Sequence, residues 1–149
     1  MDEHIKKQIM EWDSLCKEES DFYHRAAVRS GLPDVAYWVI YSVCWRETPV
    51  SQSELCAENY FPKQTVHSAV AKLVSLGLVR LDAKEDSRKR KLIELTPSGE
   101  TFCEQYVRPI LQVESDALEE MDRGEVEQML ATMKKQLTLM KEKAEKLWQ

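Results

Sequence analysis

The stretch S-Q-S-E-L-C-A-E-N-Y-F-P-K-Q-T-V-H-S-A-V-A-K-L-V-S-L-G-L-V-R-L-D-A-K-E-D-S-R-K-R-K-L-I-E-L-T-P-S-G, residues 51–99, decides the fold. Its first four residues match the S-x-x-E capping box, in which serine and glutamate satisfy each other's backbone N–H, and predict a short helix through about Ala57. After Glu58-Asn59-Tyr60-Phe61, Pro62 suits the first position of a second helix running to about Leu76. On that helix Val66, Ala69, Val70 and Leu73 share one face. Gln64, His67, Ser68, Ala71 and Ser75, all small or polar, share the other. Gly77 is placed to close it as a left-handed cap. Two short runs with partial alternation, 78–81 and 91–95, have strand character, and the polar, basic segment 82–90 between them reads as a hairpin tip. Thr96-Pro97 then reads as an N-cap with proline at the first helical position.

On the N-terminal side, Ile5, Ile9, Trp12, Leu15, Phe22 and Ala26 recur at helical spacing and predict one long helix over 3–29. Gly31 and Pro33 break it. Residues 34–46 are apolar almost all round, so this helix is expected to be the most buried element, ending at Thr48-Pro49. On the C-terminal side one helix is expected over 97–122, bent at Pro109, with Gly124 dividing it from a last helix. There Val126, Leu130, Met133, Leu137, Met140, Ala144 and Leu147 repeat in four-three steps, a stripe that wants a partner helix. That partner is a second chain, the chain's own first helix, or a mixture of both.

Composition narrows the classes. A chain of 149 residues with 43% hydrophobic and 32% charged side chains suits one domain with a core and solvated helical faces. No run approaches the roughly 18 apolar residues of a membrane span, and the N-terminus shows no secretory pattern. Cys16, Cys44, Cys56 and Cys103 form no C-x-x-C pair and read as the reduced thiols of a cytoplasmic protein. The four glycines are isolated, which leaves no phosphate-cradling loop, and the three histidines show no metal spacing. The sequence therefore predicts a protein that is not an enzyme and needs no metal or cofactor.

Charge is unevenly placed. Residues 1–59 carry 6 basic and 11 acidic side chains, residues 60–91 carry 8 and 3, and residues 92–149 carry 7 and 12. A net −5 chain thus contains a central segment of +5, a local surface for a polyanion.

Helix, helix, short helix, helix and a basic-tipped hairpin is the order of a winged helix-turn-helix, with residues 34–96 as its core. The fold class expected is mainly α with a small β-hairpin wing, in a single domain over 1–149. Residues 1–30 and 97–149 make up its helical dimerisation region. The capped helix at 51–57 would offer its first amides to phosphate. Helix 62–76, with no bulky apolar group outward, suits a major groove roughly 12 Å wide.

At this point the chain resembles the MarR family of winged helix-turn-helix transcriptional regulators. The resemblance lies in S-Q-S-E-L-C-A (51–57), K-Q-T-V-H-S-A-V-A-K-L (63–73), G-L-V (77–79), D-S-R (86–88) and L-T-P-S-G (95–99). It implies a homodimer with intertwined first and last helices that binds double-stranded DNA at a pseudo-palindromic operator. It also implies a repressor released by a small molecule or by cysteine oxidation. Gln64, Thr65, His67 and Ser68 are the candidates for base contacts, and Lys63 and Lys72 for phosphate. The resemblance places the DNA-inserting arginine of D-x-R at Arg88, with Asp86 shaping the tip, and Lys89 and Arg90 are further phosphate candidates.

Similar regulators bind aromatic or phenolic effectors beside the dimerisation helices, and Trp12, Tyr23 and Trp38 are the candidates here. Of the cysteines, Cys16 alone resembles the reactive thiol of the peroxide-sensing branch. Its neighbours Glu18 and Glu19 are acidic, the wrong surroundings for a reactive thiolate. A winged-helix module that binds an acidic protein partner, and a thiol-based redox-sensing regulator, are the alternatives.

Overall fold

The computed structural model describes residues 1–46, 48–85 and 91–148, and the side chains of all of these but 83–85. The described chain forms two compact units, Met1–Ile110 and Leu111–Gln149.

The first unit opens with α1 (Glu3–Ser30), whose N-terminus is closed by the Asp2 carboxylate accepting from the N–H groups of His4 and Ile5 at 2.7 and 3.2 Å. Gly31, at φ 76°, ends it in the left-handed conformation that costs glycine little. Helix α2 (Asp34–Cys44) is the centre of the core. Ala36, Tyr37, and every residue from Val39 to Cys44 are buried. It packs against α1, α3 (Gln52–Asn59), α4 (Lys63–Ser75) and α5 (Pro97–Tyr106). The helix stops at Cys44 and not at residue 46, with Trp45 turned into solvent.

Helix α3 carries the expected capping box. The Ser51 hydroxyl accepts from the Glu54 N–H at 3.3 Å, and the Glu54 carboxylate accepts from the Ser51 N–H at 2.8 Å. The α3–α4 turn passes through Tyr60 at φ 54°, a left-handed non-glycine position. Pro62 is the N-cap of α4 and not its first helical residue. At ψ 144° it is extended, and its carbonyl accepts from Thr65 and Val66.

Three strands are described: β1 (Val50–Ser51), β2 (Val79–Glu85) and β3 (Lys91–Leu95), antiparallel in the order β1-β3-β2. Val50 pairs with Ile93, Leu81 also pairs with Ile93, and Val79 pairs with Leu95. Ile93, on the central strand, is fully buried. Strand β2 runs on to Glu85, four residues into the segment expected as the tip, with an irregularity between Leu81 and Glu85.

The wing is fastened to α5 by Thr96. Its hydroxyl donates to the Gly77 carbonyl and accepts from the Gly99 N–H at 3.0 Å, while its own N–H donates to the Leu78 carbonyl at 3.1 Å. The helix expected over 97–122 is two helices, α5 and α6 (Arg108–Glu120), broken at the buried Val107. Pro109 lies second in α6, where its missing N–H costs nothing, so the chain restarts a helix there and does not bend one.

Leu111–Gln149 contains the rest of α6, α7 (Arg123–Ala144) and a 3₁₀ turn at Glu145–Leu147. The residue that divides the helices is Asp122, not Gly124. Asp122 caps α7, accepting from the Gly124 N–H at 2.8 Å, while Glu125 accepts from the Asp122 N–H at 3.2 Å. Gly124 lies inside the first turn.

Gly99 is the tightest point of the first unit. A Cβ there would lie 1.9 Å from the Leu78 carbonyl oxygen, a backbone atom that cannot step aside. Gly99→Ala is expected to cost about 2–3 kcal/mol in urea unfolding. Gly77→Ala, in open space at φ 69°, is expected to cost about 1–2 kcal/mol for its left-handed backbone alone. A Gly99→Ala protein as stable as wild type would show that the wing and α5 do not meet this closely.

Candidate nucleic-acid interface

Helix α4 divides cleanly by period. Val66, Ala69, Val70 and Leu73 are buried, while Lys63, Gln64, His67, Ser68 and Lys72 are exposed and Thr65 is half-buried. The helix stands as a ridge between two hollows. On one flank Lys63, Gln64 and His67 face Ser51, Gln52, Ser53 and Cys56 of the α3 side, with Lys91 of β3 at the edge, around a cleft of about 350 Å³. On the other, Gln64, Thr65, Ser68 and Lys72 face Pro33, Val35 and Ala36 across a hollow of about 400 Å³. Gln64 belongs to both and marks the crest.

The polar groups on this ridge are partly spoken for. His67 Nδ1 shares a hydrogen bond with Gln52 Oε1 at 3.3 Å, and the Ser68 hydroxyl donates to the Gln64 carbonyl at 3.0 Å. No side chain caps α4, so the first N–H groups of Lys63 and Gln64 are left for an outside acceptor. Lys63 and Lys91 are the cations of the first cleft, and no carboxylate lines it among the described residues. Its chemistry suits phosphate oxygens at the floor and base edges along the ridge.

Sequence reasoning missed Gln52, Ser53 and Lys91. Lys91 was legible by parity, because a strand alternates and Lys91 shares the face of the buried Ile93, which turns it toward α3 and α4. Arg88, Lys89 and Arg90 lie outside the described residues. Arg80, counted in the basic segment, is engaged: its guanidinium donates to Glu94 at 2.8 and 3.1 Å, and that carboxylate holds it firmly charged.

Of the three effector candidates the structure joins two. The Tyr23 and Trp38 rings lie 4.5 Å apart between centroids and line a third cleft of about 440 Å³. Trp12 is not among its walls, since eleven residues of helix separate it from Tyr23, roughly 16 Å along the axis. Among the described residues no group of three or more His, Cys, Asp or Glu side chains gathers as a metal site would require. Nor is any described helix long and apolar enough to cross a membrane.

Residues 30–90, rather under half of the chain, match the family model described as the MarR family. The match falls on the winged helix, which is similar to that of the MarR family. Among solved structures, a MarR family regulator from Neisseria meningitidis is 16% identical, covers 93% of this chain and 97% of its own, and superposes with a TM-score of 0.77. MepR from Staphylococcus aureus, in a DNA-binding conformation, is 19% identical over 87% of this chain and 98% of its own, at 0.70. A MarR from the same organism, in complex with salicylate and kanamycin, is 11% identical over 93% of each chain, at 0.67. At these identities the likeness is one of fold. No curated protein matches the chain.

The four cysteines differ in surroundings. Cys44 and Cys103 are buried and hydrogen-bonded to each other. That bond, and then burial, push the Cys103 thiol far up, while the same bond and the nearby Arg108 lower Cys44. Cys16 and Cys56 are half-buried. In native protein treated with iodoacetamide, Cys16 and Cys56 should be labelled first and Cys103 only on denaturation, as read by peptide mass spectrometry. Labelling of Cys103 as fast as Cys16 would mean that α5 does not hold it against α2.

Proposed function

We propose that the chain is a homodimeric, sequence-specific DNA-binding transcriptional regulator, a repressor released by a small aromatic or phenolic effector. The observation that carries this reading is the polar crest of α4, raised between two hollows and backed by a fully apolar face. Gln64, Thr65, His67 and Ser68 would read base edges in the major groove, and Lys63 and Lys72 would touch phosphates. Lys91 joins them at the α3 cleft. Arg88 would enter a minor groove, where negative potential attracts arginine, with Lys89 and Arg90 on phosphates. A neighbour of the same fold, MepR, has been solved with an oligodeoxyribonucleotide and another with salicylate, which supports both halves of the reading.

Two uncovered stripes support the dimer. Ile5, Ile9 and Leu15 on α1 are exposed in the single chain, as are Leu130, Leu137 and Met140 on α7, and α7 buries no residue. Such faces seek a partner, and an intertwined contact of this kind buries more than ~2,000 Å². Light scattering should give twice the 17.4 kDa chain mass, and Leu130→Glu with Leu137→Glu should lower the mass or cost solubility. A soluble, folded monomer of the unsubstituted chain would overturn the dimer.

DNA reading is tested by anisotropy at fixed salt, on a duplex selected from a random pool and on its scrambled counterpart. Gln64→Ala should cost about 1–3 kcal/mol on the selected duplex and far less on the scrambled one. Lys63→Ala should weaken both alike and reduce the salt slope by about 1. Equal losses on both duplexes for Gln64→Ala would remove α4 as the reader.

A further inference from the structure

The cleft that joins Tyr23 to Trp38 has a chemistry of its own. Its walls come from α1 (Glu19, Tyr23, His24), α2 (Asp34, Trp38) and the α3–α4 turn (Phe61). Three aromatic rings thus line a space of about 440 Å³, within the range of small-molecule sites. Phe22 and Tyr41 stack edge-on against Tyr23 from outside the lining, which holds that ring in place. Two carboxylates, Glu19 and Asp34, stand among the rings, and no lysine or arginine lines the cleft among the described residues. His24 Nδ1 meets both Asp34 oxygens, at 2.9 and 3.0 Å, fixing that carboxylate at the rim. Glu19 has no ion pair among the described residues.

Aromatic faces present negative quadrupole potential, and carboxylates present full negative charge. Both attract a cation whose hydration is weak enough to surrender. An anionic phenol or benzoate gains the same ring contacts but meets two carboxylates, and the one basic side chain of the lining, His24, is already turned to Asp34. We propose that this cleft binds an aromatic organic cation, of the quaternary ammonium class, held by Tyr23, Trp38 and Phe61 and balanced by Glu19 and Asp34. The proposal rests on the effector reading above and gives the effector its charge.

Position ties such a ligand to the ridge. Phe61 directly precedes Pro62, the N-cap of α4, and follows Tyr60, already held at φ 54°. A molecule seated against Phe61 shares that turn with the helix and competes for its geometry.

The test is calorimetric titration of the full chain with benzyltrimethylammonium and, separately, with salicylate. The cation should bind saturably and at least about tenfold more tightly than salicylate, in line with cation–π and charge contributions of this kind. Glu19→Gln, an exposed substitution, should weaken the cation several-fold without weakening salicylate, and Asp34→Asn should act in the same direction. Tighter binding of salicylate would overturn the cationic assignment and leave an aromatic effector standing. Binding of the cation that neither substitution alters would place it elsewhere and overturn the proposal. If neither compound binds, the aromatic-effector reading falls with it.

Discussion

The packing of α2 against α4 decides which side of α4 is left in water, and the rest of residues 1–110 depends on it. Tyr37 and Ile40 on α2, and Val66 and Leu73 on α4, have no exposed surface. Each such side chain contributes about 1.5–3 kcal/mol on leaving water, so the helix cannot roll about its axis without giving up several of them. A helix of 3.6 residues per turn then has no freedom left. With Val66, Val70 and Leu73 inward, Gln64 and its neighbours are outward by geometry alone.

Elements whose signals are local were legible from sequence. The Ser51–Glu54 box, the period of 63–75, Gly77 and Thr96-Pro97 each act within a few residues of themselves, and all stand where they were expected. What escaped was set by distance in the chain. Strand β1 is two residues long, too short to show a period, and exists because Val50 and Ser51 pair with residues some forty positions on. The break at Val107 was assigned to Pro109 because proline is the visible breaker, whereas a buried valine carries no mark of a helix end. Gly124 is the visible breaker in the same way, whereas the capping is done by Asp122, which the sequence reading did not single out. Of the candidate site, the α4 residues followed from period, but Lys91 needed the strand's parity and Trp12 was separated from Tyr23 only by counting turns.

Charge on the first unit is more economical than composition suggests. The +5 of residues 60–91 includes Arg80, which is occupied by Glu94 across the β2–β3 ladder. The cations around the α3 cleft are therefore few, and the exposed first amides of α4 supply positive potential without any formal charge. This is how an acidic chain presents a surface fit for polyanions.

The junction at Thr96 and Gly99 has a mechanical meaning. Thr96 binds backbone at Gly77 and Leu78 on one side and at Gly99 on the other, and Gly99 leaves no gap against Leu78. A joint this full has no slack, because close-packed interiors pass strain on and do not absorb it. The base of the wing is riveted to the first turn of α5. Any tilt imposed on the strands is delivered whole to that helix, as through a rigid bracket.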